Sequence, residues 1–350
     1  MAERTRNHNL VRAILLASLA FAALMALLTA PDTASAHNIG YDSVNNGEIR
    51  YEDHTQFGDA RQFGVKEWNR LGSISIRQVS SGADLAFRDY NRRDGNVGYY
   101  QLNSGIDTIN FNVREMNKLD KFDKRGTAVH ELGHALGLAH PGEAKHWCED
   151  SIMYYTFCER SPNTPQAHDK KDYYGLWGRG ASTAKRETSG AKQPYAGPST
   201  IEPLYAFDAR DKRKLVGYAT NVFVGRVIEE TGSEGAPLSG PGGKILPKTQ
   251  FSVEVSRDIK GDLSGDTVTV SQTGGYDEEG REARVEGDPP LRPGKEYLFS
   301  TSYDEEEGRY VIVAQPFGAV IIEDEEQRGE AEERFEQAEA EQIPPDATNR

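Results

Sequence analysis

The stretch HELGHALGLAH, from His130 to His140, contains three histidines and one glutamate within eleven residues. On an α-helix, His130 and His134 lie one turn apart on one face, and Glu131 lies at the edge of that face. The apolar residues of the stretch fall in another sector, which can be buried in a core. Gly137 permits the positive φ that ends a helix, so the chain can turn and bring His140 back toward the other two histidines.

These residue types at this spacing predict a catalytic zinc site. Three neutral imidazoles from His130, His134 and His140 would leave one tetrahedral position for water. Zinc acidifies bound water and polarises a carbonyl group, and Glu131 can accept the proton of that water and pass it to a leaving amine. The alternative is a helix with surface histidines. With 8 His and 35 Gly in the chain, Gly137 and His140 at fixed offsets put coincidence below roughly one in a thousand.

The stretch resembles the pattern of the metzincin clan of zinc peptidases, HExxHxxGxxH followed by a methionine-containing turn. The segment SIMYY, Ser151 to Tyr155, is similar to that turn. The resemblance covers residues 38–178 and implies an α+β catalytic domain with a twisted mixed sheet and an active-site helix. It also implies that Met153 forms a hydrophobic floor beneath the zinc. We expect the longer helix that carries the motif to run from Phe122 through Leu136.

Within the clan, the segment HDKKDYYGLWG (His168–Gly178) resembles the last helix of matrixins, with Asp169 where those proteins carry an aspartate. Other features resemble serralysins and astacins, in which a tyrosine two residues after the methionine reaches the metal. That resemblance implies that Tyr155 stabilises an oxyanion; the alternative is a tyrosine packed beside the turn. The strand VGYYQL (Val97–Leu102) resembles the edge strand that pairs with an extended peptide substrate.

The N-terminus has the pattern of a secretory signal peptide. Arg4, Arg6 and Arg12 precede an apolar run, and the small-residue pattern Ala-Ser-Ala at 34–36 follows it. We therefore assign residues 1–36 to a signal peptide and predict a secreted, extracellular protein without stable membrane insertion. The alternative is an uncleaved anchor. Outside the cell, Cys148 and Cys158 are expected to form a disulfide bond, which would clamp the loop around Met153.

Composition bears on partners. The net charge of −14 and the absence of a basic stripe with interleaved aromatics argue against a nucleic-acid partner. Much of the acidity lies in residues 323–350, which hold 11 acidic and 3 basic residues. Such a run is typical of a solvated, disordered tail without chemistry of its own.

The order of segments predicts two structured parts. Residues 37–178 form the predicted zinc peptidase domain, and residues 179–200, rich in Gly, Ser, Thr, Ala, Lys and Pro, form a linker. Residues 201–322 read as an all-β accessory domain, a sandwich or small barrel whose first strand is LVGYATNVFVGRVI. This part resembles, weakly, netrin-like and TIMP-like barrels but lacks their cysteines. The sequence does not indicate its partner.

We therefore predict a secreted zinc endopeptidase that acts on protein or peptide substrates, with Zn²⁺ as its cofactor. Calcium stays open, because carboxylates are present but no loop has a recognisable ligand pattern. The rival hypothesis is a non-catalytic secreted binding or adhesion protein with a degenerate metzincin scaffold. The presence of Glu131 favours the enzyme, because a purely structural metal site does not need this carboxylate.

Overall fold

The structure is a computed structural model that describes residues 37–142, 147–179, 198–236, 239, 246–263, 266–276, 280 and 282–345. The predicted signal peptide and nearly all of the predicted linker lie outside the described residues. From His37 onward the described residues belong to one unit. No described helix is both long enough and apolar enough to cross a membrane.

The described residues of the first half of the chain form five strands and five helices. The strands are β1 (Glu48–Asp53), β2 (Ser75–Gln78), β3 (Leu85–Tyr90), β4 (Asn96–Gln101) and β5 (Asp107–Asn112). The helices are α1 (Gly58–Asn69), α2 (Val113–Met116), α3 (Lys121–Ala135), α4 (Trp147–Asp150) and α5 (Ala167–Trp177).

The second half is rich in strands. They are β6 (Ser199–Tyr205), β7 (Asn221–Ala236), β8 (Leu246–Lys260), β9 (Thr267–Tyr276), β10 (Glu282–Val285), β11 (Glu296–Asp304), β12 (Arg309–Ile312) and β13 (Ala319–Ile322). Among the described residues of this half, two helices accompany the strands, α6 (Lys212–Tyr218) and α7 (Glu325–Ala340). The fold is therefore α+β, with a mixed sheet and helices in the first part and a β-rich second part.

One sheet joins the two parts. Its strand order is β2-β1-β3-β5-β4-β6-β10-β9-β8-β7-β11-β12, with β13 paired to β11. The strand β12 pairs with both β11 and β9, so β7, β8, β9, β12 and β11 close into a small barrel. The connection between the parts is the pairing of β4 with β6, which is antiparallel.

The main core lies between the first part of the sheet and the helices α1 and α3. Trp68 of α1 is fully buried, and its indole N–H donates to the carbonyl of Val129 on α3 at 2.8 Å. The two helices approach closely at Gly64, where an added Cβ would lie 3.0 Å from the carbonyl oxygen of Ala128. This packing fixes α3, and with it the histidine motif, against the sheet.

The predicted motif helix is confirmed, since α3 spans Lys121–Ala135. The predicted first strand of the accessory part is wrong in its first half, because Lys212–Tyr218 forms a helix. The side chain of Asp211 accepts a hydrogen bond from the backbone N–H of Arg213, which caps that helix. Leu215, Val216 and Ala219 are buried at positions i, i+1 and i+4, which is the spacing of one helix face rather than strand alternation.

The prediction of a disordered acidic tail is wrong for Glu325–Ala340, which forms α7. Ala331, Phe335 and Ala338 recur at helical spacing and are buried in a second hydrophobic cluster, which also contains Leu215 and Val216 of α6. The acidic side chains of the helix lie mostly outside it. The prediction relied on the net charge of the segment and did not take this narrow apolar stripe into account.

The prediction that Val97–Leu102 is an edge strand is also wrong. The strand β4 lies between β5 and β6, so its second edge is occupied by this chain itself.

Candidate metal centre and catalytic site

The turn after α3 brings the third histidine back to the first two. Gly137 has a φ of +89°, as predicted. Its backbone N–H donates to the carbonyl of His134 at 2.8 Å, and that of Leu138 donates to the carbonyl of Gly133 at 3.0 Å. These bonds close the end of the helix and reverse the chain.

The three histidines meet through their Nε2 atoms. The Nε2 of His130 lies 3.0 Å from that of His134 and 3.3 Å from that of His140. Zn–N bonds of about 2.0–2.1 Å in a tetrahedron place two ligand nitrogens about 3.3 Å apart. The observed spacing is therefore close to that of a zinc ligand set.

Backbone carbonyls orient two of the rings. The Nδ1 of His130 lies 2.8 Å from the carbonyl of Ile152, and that of His134 lies 2.9 Å from the carbonyl of Leu138. An Nδ1–H that donates to a carbonyl leaves Nε2 as the free lone pair, directed at the centre. Burial lowers the pKa of His130 to about 4 and the pKa values of His134 and His140 well below their usual value. All three rings are thus neutral, as metal ligands must be.

Glu131 lies beside this cluster and is fully buried. Burial raises its pKa well above the usual range, and the negative charge of Glu202 adds to the rise. The nearby backbone N–H of Tyr100 opposes the rise without completing a hydrogen bond. The Oε1 of Glu131 faces β4, since a Cβ added to Gly98 would lie 3.1 Å from it. The carboxylate therefore lies against the middle of β4.

Orphaned buried oxygens test whether the site suits a cation. Both carboxylate oxygens of Glu131 and the Oε2 of Glu202 are buried without a hydrogen-bond partner in the described part of the chain. Buried polar atoms in folded proteins nearly always have a partner. A cation held by three neutral imidazoles, with its water, would supply what these carboxylates lack, and this donor set is one that zinc prefers.

Met153 packs beneath the helix that carries the motif. It is 1% exposed, and a Cβ on Gly133 would lie 2.2 Å from its Sδ. The absence of a side chain at Gly133 thus allows Met153 to lie directly under α3. The role of Met153 as the floor of a zinc site stays a prediction, since the contact itself shows only packing.

Asp169 holds the turn that contains Met153. Its carboxylate accepts hydrogen bonds from the hydroxyl of Ser151, from the backbone N–H of Ile152 at 2.9 Å and from that of Gln166 at 2.7 Å. The same Ile152 supplies the carbonyl that orients His130. Asp169 therefore acts on a metal-ligand candidate through one intervening residue, a role that resemblance alone did not indicate.

The predicted disulfide bond is present. Cys148 and Cys158 are bridged, with their Cα atoms 6.2 Å apart. The bridge joins the two sides of the loop that has Met153 at its middle, as the sequence analysis expected.

Tyr155 makes contacts that the sequence analysis did not predict. Its hydroxyl donates to the carboxylate of Asp208 at 3.0 Å, and the guanidinium of Arg210 lies 4.6 Å from its ring centroid. Its ring centroid is 6.4 Å from that of His140. The oxyanion role of Tyr155 stays a prediction; in this structure a carboxylate of the second part holds the hydroxyl.

The N-terminal end of the described chain supports the loop that carries His140. The carbonyl of His37 accepts a hydrogen bond from the backbone N–H of Ala139 at 2.9 Å. The ring of His37 contacts the carboxylate of Asp172 at 3.1 Å, and His168 contacts the same carboxylate at 3.6 Å. These contacts tie the loop to α5.

Glu202 is the residue of the site that sequence reasoning missed. It lies on β6, is 2% exposed, and offers a carboxylate oxygen within 4.8 Å of ligand atoms of His140 and Glu286. The hydroxyl of Tyr41 donates to its Oε1. Burial, with the carboxylate of Glu286, raises the pKa of Glu202 to about 9. The only signal in the sequence is a lone glutamate in an otherwise uncharged strand.

Comparison with known proteins assigns the first part. The family model for matrixins matches residues 28–178. The chain carries a matrixin-like domain. This family consists of metallopeptidases, and the three clustered histidines lie inside the matched residues of the matrixin-like domain.

Other comparisons add little. No curated protein matches the chain. Among solved structures, "Structure of myroilysin" is similar at 17% identity over 39% of this chain and 95% of that chain, with a TM-score of 0.29. The assignment therefore depends on the family match, which covers residues 28–178 and does not extend to residues 179–350.

Proposed function

We propose that the protein is a secreted, zinc-dependent endopeptidase that hydrolyses peptide bonds of protein substrates. The observation that carries this proposal is the convergence of three neutral Nε2 atoms, 3.0 and 3.3 Å apart, beside the buried carboxylate of Glu131. A structural metal site needs no such carboxylate, whereas hydrolysis needs a proton acceptor next to the attacking water.

The residues divide the chemistry as follows. His130, His134 and His140 would hold zinc, which when bound polarises a peptide carbonyl and acidifies water. Glu131 accepts the proton of the attacking water and returns it to the nitrogen of the leaving amine. Burial raises the pKa of Glu131 above its usual range, which makes its carboxylate a stronger base toward that proton. Asp169 and Gly137 position the ligands.

The supports for secretion are the N-terminal pattern of residues 1–36 and the disulfide bond between Cys148 and Cys158. Structural disulfides form and persist in oxidising compartments outside the cytosol. Intact-mass measurement of the exported protein should give a chain that begins near His37. A chain that still carries residues 1–36 would instead support the membrane-anchor alternative.

The test of catalysis is metal-dependent hydrolysis of casein and of a quenched fluorescent peptide. Because β6 covers the site, the assay uses the wild type and the variant Glu202→Ala. We expect cleavage that a chelator stops and zinc restores, and a fall of about 10²–10⁴-fold on Glu131→Ala in either background. Glu254→Ala is the matched control, because Glu254 is exposed on β8 and far along the chain from the motif.

A non-catalytic binding or adhesion protein is the second candidate. One observation favours it: His130, Glu131 and His134 are each at most 1% exposed, so the site as folded does not admit a polypeptide. Failure of every zinc-loaded form to cut either substrate, or equal cleavage by Glu131→Ala, would give this candidate the preference.

A further inference from the structure

The strand β6 lies on β4 in the manner of a bound peptide. Its pairing with β4 is antiparallel, in the register Gly98↔Leu204, Tyr99↔Pro203, Tyr100↔Glu202 and Gln101↔Ile201. At the end of β6, the backbone N–H of Tyr205 donates to the carbonyl of Tyr155 at 2.9 Å. Tyr205 also forms an isolated parallel β-bridge with Thr156. The segment is thus held extended between β4 and the residues that follow Met153, as in recognition by strand addition.

Glu202 is the residue of β6 that reaches the histidine cluster. Its carboxylate lies with a ligand atom of His140 inside a group whose atoms are all within 4.8 Å of one another. Its Oε2 is buried and has no hydrogen-bond partner in the described residues. A carboxylate oxygen is an ordinary zinc ligand, so Glu202 lies where it can bind an ion that His140 holds.

Leu204 fills a second part of the same cleft. It lines a small pocket together with His130, Ile152 and Tyr154. The pocket lies beside a metal-ligand candidate and along the turn that contains Met153. A substrate side chain at this place would meet Leu204 of the protein itself.

The second part of the chain holds β6 from its other edge. The strand β10 pairs with β6 in parallel, and the backbone N–H of Glu286 donates to the carbonyl of Ile201 at 3.0 Å. The hydroxyl of Tyr205 donates to the carbonyl of Gln315. Displacement of β6 from β4 therefore requires a change in, or removal of, the contacts with the second part.

From these contacts we infer that residues 199–205 are an intramolecular inhibitor, which occupies the substrate strand's place on β4 and supplies Glu202 as a fourth ligand to the metal. The inference relies on the proposed function only in naming this cleft as the substrate cleft. A substrate can pair with β4 only after β6 leaves, and water can take the fourth position only after Glu202 leaves. The second part is thereby a latency device for the matrixin-like domain.

The ligand role of Glu202 is tested with the full chain loaded with Co²⁺, whose visible absorption responds to the number and type of ligands. Glu202→Ala should change the spectrum and weaken metal retention against a chelator by about tenfold or more. Glu254→Ala, on the exposed face of β8, should change neither. Glu202→Gln keeps the volume of the side chain and loses its charge, so it serves if Glu202→Ala does not fold.

The occupancy of the cleft is tested by calorimetric titration of the zinc-loaded proteins with a short peptide hydroxamate. The wild type should bind it at least about tenfold more weakly than Glu202→Ala, because only the fraction of molecules with β6 displaced is competent to bind. Hydrogen exchange followed by mass spectrometry should show slow exchange in residues 199–205 of the wild type and faster exchange when hydroxamate binds to the variant.

A cobalt spectrum and a hydroxamate affinity that are the same in the wild type and in a folded Glu202 variant would overturn the inference. So would exchange in residues 199–205 that is as fast in the resting wild type as in the hydroxamate-bound variant. The proposed function fails separately: a changed spectrum and tighter binding, without hydrolysis by either protein, would reject the peptidase and keep the inhibitor.

Discussion

The segment His130–His140 and the strand β6 meet at one centre, but different kinds of contact place them there. One helical turn and the positive φ of Gly137 position the three histidines, so their geometry is set within eleven consecutive residues. The position of β6 depends on pairing with β4 and β10, both of which are remote from it in the chain. Substitutions in the second part should therefore affect the position of β6 and leave the histidine motif in place.

The largest expected effect is the removal of the aromatic ring that anchors α7 to the second part. Phe335 is fully buried in the cluster that also contains Leu215 and Val216 of α6. Phe335→Ala should lower the free energy of unfolding by about 3–5 kcal/mol, because it deletes a buried ring and leaves a cavity. Urea denaturation measures the change.

Phe122→Ala is the matched control, since Phe122 is 48% exposed at the start of α3, and it should cost at most about 0.5 kcal/mol. Equal losses in the two variants would show that α7 does not support the second part. If only Phe335→Ala lowers the free energy of unfolding and zinc retention is unchanged, the histidine centre keeps its geometry independently of how α7 packs on the second part.

A pH-dependent effect is expected at the junction of the two parts. The carbonyl of Asp94 accepts a hydrogen bond from the backbone N–H of Ala314 at 2.7 Å, and its carboxylate accepts bonds from Asn96 at 3.0 Å and Asn112 at 3.1 Å. Burial raises the pKa of Asp94 from 3.8 to about 6. The folded state therefore binds this proton more tightly than the unfolded state does.

The contribution of that proton to stability is full below pH 4 and is lost as the pH rises through about 6. Its loss amounts to at most about 3 kcal/mol. Asp94→Asn keeps one acceptor oxygen and removes the charge, so its stability relative to the wild type should improve from pH 4 to pH 8 by up to that amount. Denaturation at the two pH values measures this.

Asp59→Asn is the control for the junction, because Asp59 is exposed and ion pairs with Arg125 and Lys121 lower its pKa. Its small pH dependence should have the opposite sign. A stability difference for Asp94→Asn that does not vary with pH would show that the carboxylate is not buried at the junction as the structure has it.

The sequence predicts the parts of the site whose geometry is local. The cluster of His130, His134 and His140 follows from helical spacing and one glycine. The bridge between Cys148 and Cys158 follows from there being two cysteines in a chain that the N-terminal pattern predicts to be exported. Resemblance added Met153 and Asp169, but the bonds that Asp169 makes became visible only in the fold.

The sequence does not predict what lies across β4. The uncharged residues around Glu202 indicate a strand but not its partner, since any edge in the sheet could accept it. For the same reason the edge-strand prediction for Val97–Leu102 was wrong, and the hydrogen bond from the hydroxyl of Tyr155 to Asp208 was not predicted. The helix at Glu325–Ala340 was missed for another reason. Its apolar stripe consists of only three buried residues, and the prediction for this segment relied on its high acidic charge instead.

The smallest effect is expected from two glycine substitutions, one in the helix α3 that carries the histidines and one in α7 of the second part. A Cβ at Gly133 would meet the Sδ of Met153 at 2.2 Å and Trp68 at 3.2 Å, whereas a Cβ at Gly329 of α7 would meet nothing within 4 Å. Gly133→Ala should cost about 1–3 kcal/mol through overpacking, less the helix propensity that alanine adds. Gly329→Ala should gain about 0.5–1 kcal/mol from propensity alone.

Both substitutions change only one methyl group on a helix, so their opposite signs would come from the contact with Met153. Urea denaturation gives the two free energies, and chelator competition shows whether displacement of Met153 loosens the metal held by His134. If Gly133→Ala gains as much as Gly329→Ala, Met153 moves aside freely and is not a rigid floor. If instead it loses stability and retains zinc more weakly, the local centre depends on the turn beneath it as well as on the spacing of its own motif.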